Sequence, residues 1–173
     1  MKKVSKVASF RNRKMIANGI FLSKLTYLMP LWGGCSKELV KTLQTIQNKA
    51  ARAITKLDWN TPTAVHLKQC GWLNVQQLIV YHSVLLVYKV LKTKSPKYLY
   101  DMFSTPYNYK TRQADEDKIR HEQKLKRDLA ADGFRWRAAG QFNQLPLNIR
   151  NLASYPKFKI SAKNWIRQNV NPG

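Results

Sequence analysis

The spacing of apolar residues between Ser36 and Leu57 constrains this chain more than any other feature. In SKELVKTLQTIQNKAARAITKL, Leu39, Leu43, Ile46, Ala50, Ala53 and Leu57 alternate spacings of four and three. Residues three and four apart stack above one another on one face of an α-helix. Ser36 offers a hydroxyl to the exposed N–H groups at the helix start, and Trp32-Gly33-Gly34 breaks the chain just before it. Lys41, Lys49, Arg52 and Lys56 fall in a sector of roughly 80°, centred about 120° from that apolar seam. Glu38 is the only acid in the stretch. The sequence therefore predicts a helix with a core face and an uncompensated cationic face. The natural partner for the seam is the apolar run from Val75 to Leu91.

The cationic excess extends beyond this helix. The chain has 173 residues and a net charge of +22, from 31 Lys and Arg against 9 Asp and Glu. So large an excess repels itself and implies a polyanionic partner, with nucleic acid preferred to an anionic membrane surface. Hydrophobic content of 44%, with five Trp and eight Tyr, is enough for a buried core. Cys35 and Cys70 make neither a disulfide framework nor a zinc set, which fits a reducing, intracellular setting, nuclear or cytoplasmic. The run Leu78–Leu91 contains His82, Ser83 and Lys89 and is shorter than the roughly 20 residues a bilayer crossing needs. The first 37 residues are basic and free of acid, as in a mitochondrial presequence. That reading is the lesser one, because Lys2 to Gly19 has no clean arginine face.

Along the chain, residues 2–57 carry twelve basic and one acidic residue, 58–103 five and two, and 104–173 fourteen and six. A nearly neutral middle between two basic ends is the expected core. Arg11–Met29 reads as a helix with Met15, Ile16, Ile20, Leu22 and Leu25 inward, ended by Pro30. Thr61-Pro62 reads as cap and first position of a short helix ending at Gly71. Asn74 and Gln77 form a capping box for a helix from Val75 to about Leu91. Ser95-Pro96 opens another, ending near Phe103. Thr105–Gln113 reads as loop, and Ala114–Ala131 as a solvated helix or a segment without fixed structure, stopped by Gly133. Pro146–Leu152 suits a turn or two of helix. A last helix, Ser154–Gln168, turns Phe158, Ala162, Trp165 and Ile166 inward. With no persuasive strand alternation, the expected fold is an all-α irregular bundle of about five to seven helices. The expected division is a helical domain over 1–103, a polar segment over 104–132 and a helical region over 133–173.

Residues for catalysis are scarce. Asp115-Glu116-Asp117 is the only acidic cluster, and no apolar strand aims it at a shared metal. A solvated helix start explains it better. His66 and Cys70, at i and i+4, would supply only half of a zinc site, so core positions are the better reading. No phosphate-cradling glycine loop or nucleophile elbow occurs. The expectation is a chain with no catalytic residues, no metal, no cofactor and no small-molecule substrate. What remains is basic residues interleaved with rings: Lys97, Tyr98 and Tyr100; Tyr107, Tyr109, Lys110 and Arg112; Phe134, Arg135, Trp136 and Arg137. Cations meet phosphates and rings stack on bases. The candidate nucleic-acid contacts are Lys41, Lys49, Arg52, Lys56, Lys110, Arg112, Arg135 and Arg137.

The order of segments resembles a known family. Leu31-Trp32-Gly33-Gly34 followed by QNKAARAI (Gln47–Ile54), then Cys70-Gly71-Trp72-Leu73-Asn74-Val75, is similar to the region after the catalytic palm of LINE-type (non-LTR) retrotransposon reverse transcriptases. Tyr88-Lys89, Pro96-x-Tyr98-Leu99, Thr111-Arg112, Phe142-Asn143-Gln144-Leu145-Pro146, Ile149-Arg150, Phe158-Lys159 and Trp165 extend the likeness in order. Phe142 stands where the family usually has tryptophan. The family's paired palm aspartates, fingers and endonuclease have no counterpart here. The resemblance implies a thumb over 1–103 and a C-terminal connector over 133–173 of an RNA-directed DNA polymerase. It also implies a template–primer duplex and a palm domain as partners. The alternative is an independent structural RNA-binding protein of ribosomal or organellar type.

Overall fold

The computed structural model describes residues 8–58, 60–104, 119 and 133–170. All regular structure among them is helical, as an irregular bundle. The helices are α1 (Phe10–Ala17), a π turn (Asn18–Leu22), α2 (Ser23–Thr26), α3 (Met29–Trp32), α4 (Lys37–Thr55), α5 (Thr63–Cys70), α6 (Val75–Thr93), α7 (Lys97–Ser104), α8 (Phe134–Asn143), α9 (Leu147–Arg150) and α10 (Tyr155–Asn169). They belong to two compact units. The first takes its described residues from the chain up to Met29 and from Cys35–Leu78; the second takes them from Pro30–Gly34 and from Ile79 onward. The polar 104–132 segment lies outside the described residues, except for Ser104 and Ile119.

Local signals fix the helix ends. The Ser36 hydroxyl accepts from Leu39 N–H (3.3 Å) and starts α4. Gly71, at φ 67°, ends α5, with its own N–H and that of Trp72 bonded to the carbonyls of Lys68 and Leu67, both 2.9 Å. A left-handed residue at this position satisfies carbonyls that the helix leaves without partners. Asn74 and Gln77 exchange side-chain-to-backbone bonds, 2.8 and 3.2 Å, at the start of α6. Other ends differ from expectation. The N-cap of α5 is Pro62 rather than Thr61. Pro30 does not end a helix: the chain turns at Leu28 (φ 48°), and Pro30 lies in the first turn of α3, where a missing N–H costs nothing. Gly133 is the N-cap of α8, while the Ala114–Ala131 stretch it was expected to end lies, Ile119 apart, outside the described residues.

In the first unit, Ala17, Ala50, Ala51, Ile54, Cys70 and Trp72 form the core, with Phe10, Phe21, Leu22 and Leu67 against it. Met15 and Ile20, expected inward, are 66% and 62% exposed. Met15 precedes the π turn, so its exposure belongs to α1 alone, whereas Ile20 is displaced by the π turn itself. The π turn adds about one residue to a turn, so the register after it is displaced by about 100° from an unbroken helix. Asn18 within it accepts from Trp72 Nε1 (2.9 Å).

The second unit has a larger core of Val84, Val87, Tyr88, Phe103, Phe142, Leu145, Phe158, Ala162 and Ile166, among others. Tyr88 and Phe158 lie nearly parallel with centroids 3.8 Å apart, and the Tyr88 hydroxyl donates to Leu152 O (2.5 Å). Asn143 holds the backbone of Ile119 at both polar groups, 2.8 and 3.0 Å. Trp165 packs at the rim of this core, with Ala162 and Ile166 buried inside it. Within Thr63–Thr93 the most apolar 18-residue window has the apolarity of a membrane crossing, and 67% of that window is buried, as in a core helix.

Candidate nucleic-acid interface

α4 is the element to examine, because it carries the densest cationic face. Its buried residues are Gln47, Ala50, Ala51, Ile54 and Thr55. Leu39 and Ile46 are each 46% exposed and Leu57 is 39% exposed, so the expected seam is not the core face. The buried face is rotated by about 85° from it. Two properties of the residues explain the rotation. Ala50 and Ala51 are small enough for α1 and α5 to approach closely. Gln47 and Thr55 are polar, yet buried without penalty because their hydrogen bonds are made.

Those bonds tie α4 to the rest of its unit. Gln47 Nε2 donates to Leu73 O (2.9 Å), and Gln44 Oε1 accepts from Val75 N–H (2.8 Å), a first-turn donor of α6. Gln44 Nε2 reaches Gln47 Oε1 (3.0 Å) and Asn48 Oδ1 (2.7 Å). The Thr55 hydroxyl donates to Ala51 O (3.0 Å) and lies 2.5 Å from His66 Nδ1. Arg13 Nε donates to Ile54 O (2.8 Å), one of the last carbonyls of the helix.

The rotation changes the meaning of the cationic sector. Lys41, Lys49, Arg52 and Lys56 now lie about 155° from the centre of the buried face, nearly opposite the core. Lys41, Lys49 and Lys56 are exposed and Arg52 is half-exposed. They extend over about 22 Å of helix axis at ~1.5 Å per residue. Arg52 and Lys56 stand at the C-terminal end, where the helix dipole also favours cations. Beside them runs the exposed stripe of Leu39 and Ile46. The outward side of α4 is therefore half cationic and half apolar.

The other candidates are distributed differently. Arg135 and Arg137 lie on α8 and are half-buried, and Arg137 Nη2 donates to Pro30 O (2.6 Å). Arg137 therefore anchors the Pro30–Gly34 segment, a role that an alternating string of cations and rings did not suggest. Lys110 and Arg112 lie outside the described residues, as do Tyr107, Tyr109 and the Asp115-Glu116-Asp117 cluster. Tyr98 is 68% exposed beside the exposed Lys97. His66 and Cys70 are each 1% exposed within the first unit, as core positions are. Burial pushes the Cys70 thiol up, partly offset by Lys14. Among the described residues, no three His, Cys, Asp or Glu side chains come together.

Sequence reasoning passed over Gln44, Gln47 and Asn48 as working parts. The signal for Gln47 and Asn48 was the polar start of the QNKAAR string, and Gln44 stands about one helical turn before it. No family model, curated protein or solved structure matches the chain.

Proposed function

We propose that this chain is a non-catalytic nucleic-acid-binding protein that grips a sugar–phosphate backbone with the cationic side of α4. We further infer that it is the thumb and connector region of a LINE-type reverse transcriptase, with a palm domain as a partner. The observation that carries the binding reading is the position of Lys41, Lys49, Arg52 and Lys56 nearly opposite the buried face of α4, on a helix whose one acid is Glu38. Four cations on one outward ridge match a polyanion along its length, and they carry no means of reading bases. The ordered motifs from Trp32 to Trp165 support the family reading. The exposed Leu39 and Ile46 supply the apolar surface that a neighbouring domain would cover.

The test is a charge reversal, K49E/R52E/K56E, measured against duplexes of several sequences over a salt series. Binding weakens for all sequences alike. The slope of log K against log salt flattens by about 0.9 per lost contact, nearly three units. Reversal at Arg11, Lys24 and Lys68, exposed on other helices, removes the same net charge. If that control flattens the slope equally, bulk charge alone attracts the nucleic acid and α4 is not the grip.

A further inference from the structure

The second unit carries a graded set of rings that leads from its core to its surface. Phe158 is 0% exposed, Tyr88 2% and Tyr155 39%. Tyr88 lies 3.8 Å from Phe158 at an interplanar angle of 15°, and 6.0 Å from Tyr155 at 23°. Near-parallel rings in contact bury large apolar faces and present a fixed aromatic plane where the series ends. Cations accompany the rings. Lys159 Nζ stands 5.7 Å from the Tyr155 centroid, and Lys92 Nζ 5.8 Å from that of Tyr88. Tyr81 and His82 border the same place: their rings meet edge to face at 5.5 Å. Burial and the neighbouring Tyr155 push the Tyr81 hydroxyl up, and burial with Lys159 pushes the His82 imidazole down.

We propose that Tyr155, backed by Tyr88 and flanked by Lys159 and Lys92, is a stacking site for an unpaired base of a nucleic acid. This rests on the reading of the chain as a nucleic-acid binder and adds a second, chemically different contact to it. Lys159 and Lys92 each stand four residues along the helix from the ring they meet, so helix geometry holds a cation beside each tyrosine. Here α10 carries Lys157, Lys159, Lys163 and Arg167 with no acid, and α6 carries Lys89 and Lys92 with none. An aromatic plane at the surface of such a basic region is what an unpaired strand requires, with phosphates on the cations and a base on the ring. A base in a closed duplex has both faces stacked already and cannot use it.

Two ligands separate this contact from the α4 grip: a short oligoadenylate strand and a blunt-ended two-strand duplex with no unpaired bases. Tyr155→Ala is expected to weaken strand binding roughly 5- to 150-fold, the loss of one stacked base, and to leave duplex binding unchanged. Tyr155→Phe keeps the ring and retains wild-type strand binding. Lys159→Gln lowers the salt slope for the strand by about 0.7. Should Tyr155→Ala unfold, Tyr155→Leu keeps apolar packing on Tyr88 without a stacking plane and carries the same expectation. Wild-type strand binding by a folded Ala or Leu variant overturns the proposal, as does an equal loss for strand and duplex. The α4 reversal K49E/R52E/K56E must weaken the duplex. If it does not, the backbone grip fails while the stacking result stands independently.

Discussion

The two units solve the same problem, burying enough surface to hold together, with different materials. The second relies on rings and aliphatic side chains: Tyr88 on Phe158, Phe142 and Phe103 nearby, and Val84, Val87 and Ile166 around them. The first has a core of mostly small residues, with Gln47, Thr55 and His66 buried among them at 0%, 8% and 1% exposure. An apolar core is tolerant, since hydrophobic contacts have no direction and many side chains of the right volume will serve. A core with polar groups demands that each be paired, because a buried donor or acceptor without a partner loses the full cost of leaving water. The first unit should therefore be specified by geometry and the second by volume.

The largest expected effect lies in the second unit. Phe158→Ala removes a fully buried ring that stacks on Tyr88 and should cost about 3–5 kcal/mol in urea unfolding. Phe158→Leu, which keeps most of the volume, should recover more than half of that. If the two substitutions cost the same, ring stacking rather than filled volume holds this unit, and the contrast with the first weakens.

Gln47→Met is the matching experiment in the first unit, since it keeps length and approximate volume. It leaves the carbonyl of Leu73 without its partner, takes from the Gln44 amide one of its two acceptors, and should cost about 1–3 kcal/mol. A cost near zero would mean that volume suffices here too. Removing Gln44 as well, in a double-mutant cycle, should show coupling between the two amides, because they share one network.

The same contrast explains which parts of the fold were legible in the sequence. Ser36 capping α4, Gly71 ending α5 and the Asn74–Gln77 box are made by residues three to five apart, so composition at short range reveals them. In the second unit, Phe158, Ala162 and Ile166 repeat at helical spacing and are buried where that spacing places them. The buried face of α4 was not legible, because its polar residues are accommodated by distant partners. Gln47 meets Leu73, 26 positions on, and Thr55 meets His66, 11 positions on. The π turn of the first helix places Asn18 on Trp72, 54 positions away. Periodicity alone cannot report such pairings. The cationic sector was legible as a pattern, while its position nearly opposite the core was not. That position depends on which face the amides draw inward.

The smallest expected effect falls on the stripe that periodicity assigned to the core. Leu39 and Ile46 are 46% exposed, so truncation removes few contacts and opens no cavity. Leu39→Ala and Ile46→Ala should each change stability by less than about 0.5 kcal/mol, as surface substitutions do. Leu43, half-buried between them, should cost more than either but less than a core leucine. The measurement is urea unfolding at two protein concentrations. Concentration matters because two copies pairing through the stripe would bury it, and stability would then rise with concentration and fall on truncation. A high net charge opposes such pairing, and added salt would relieve that opposition. Small costs that do not depend on concentration or salt identify the stripe as open surface in the isolated chain. A cost of 2 kcal/mol or more for Ile46→Ala, about what a buried side chain loses, would return the seam to the core and put the cations back at about 120° from it.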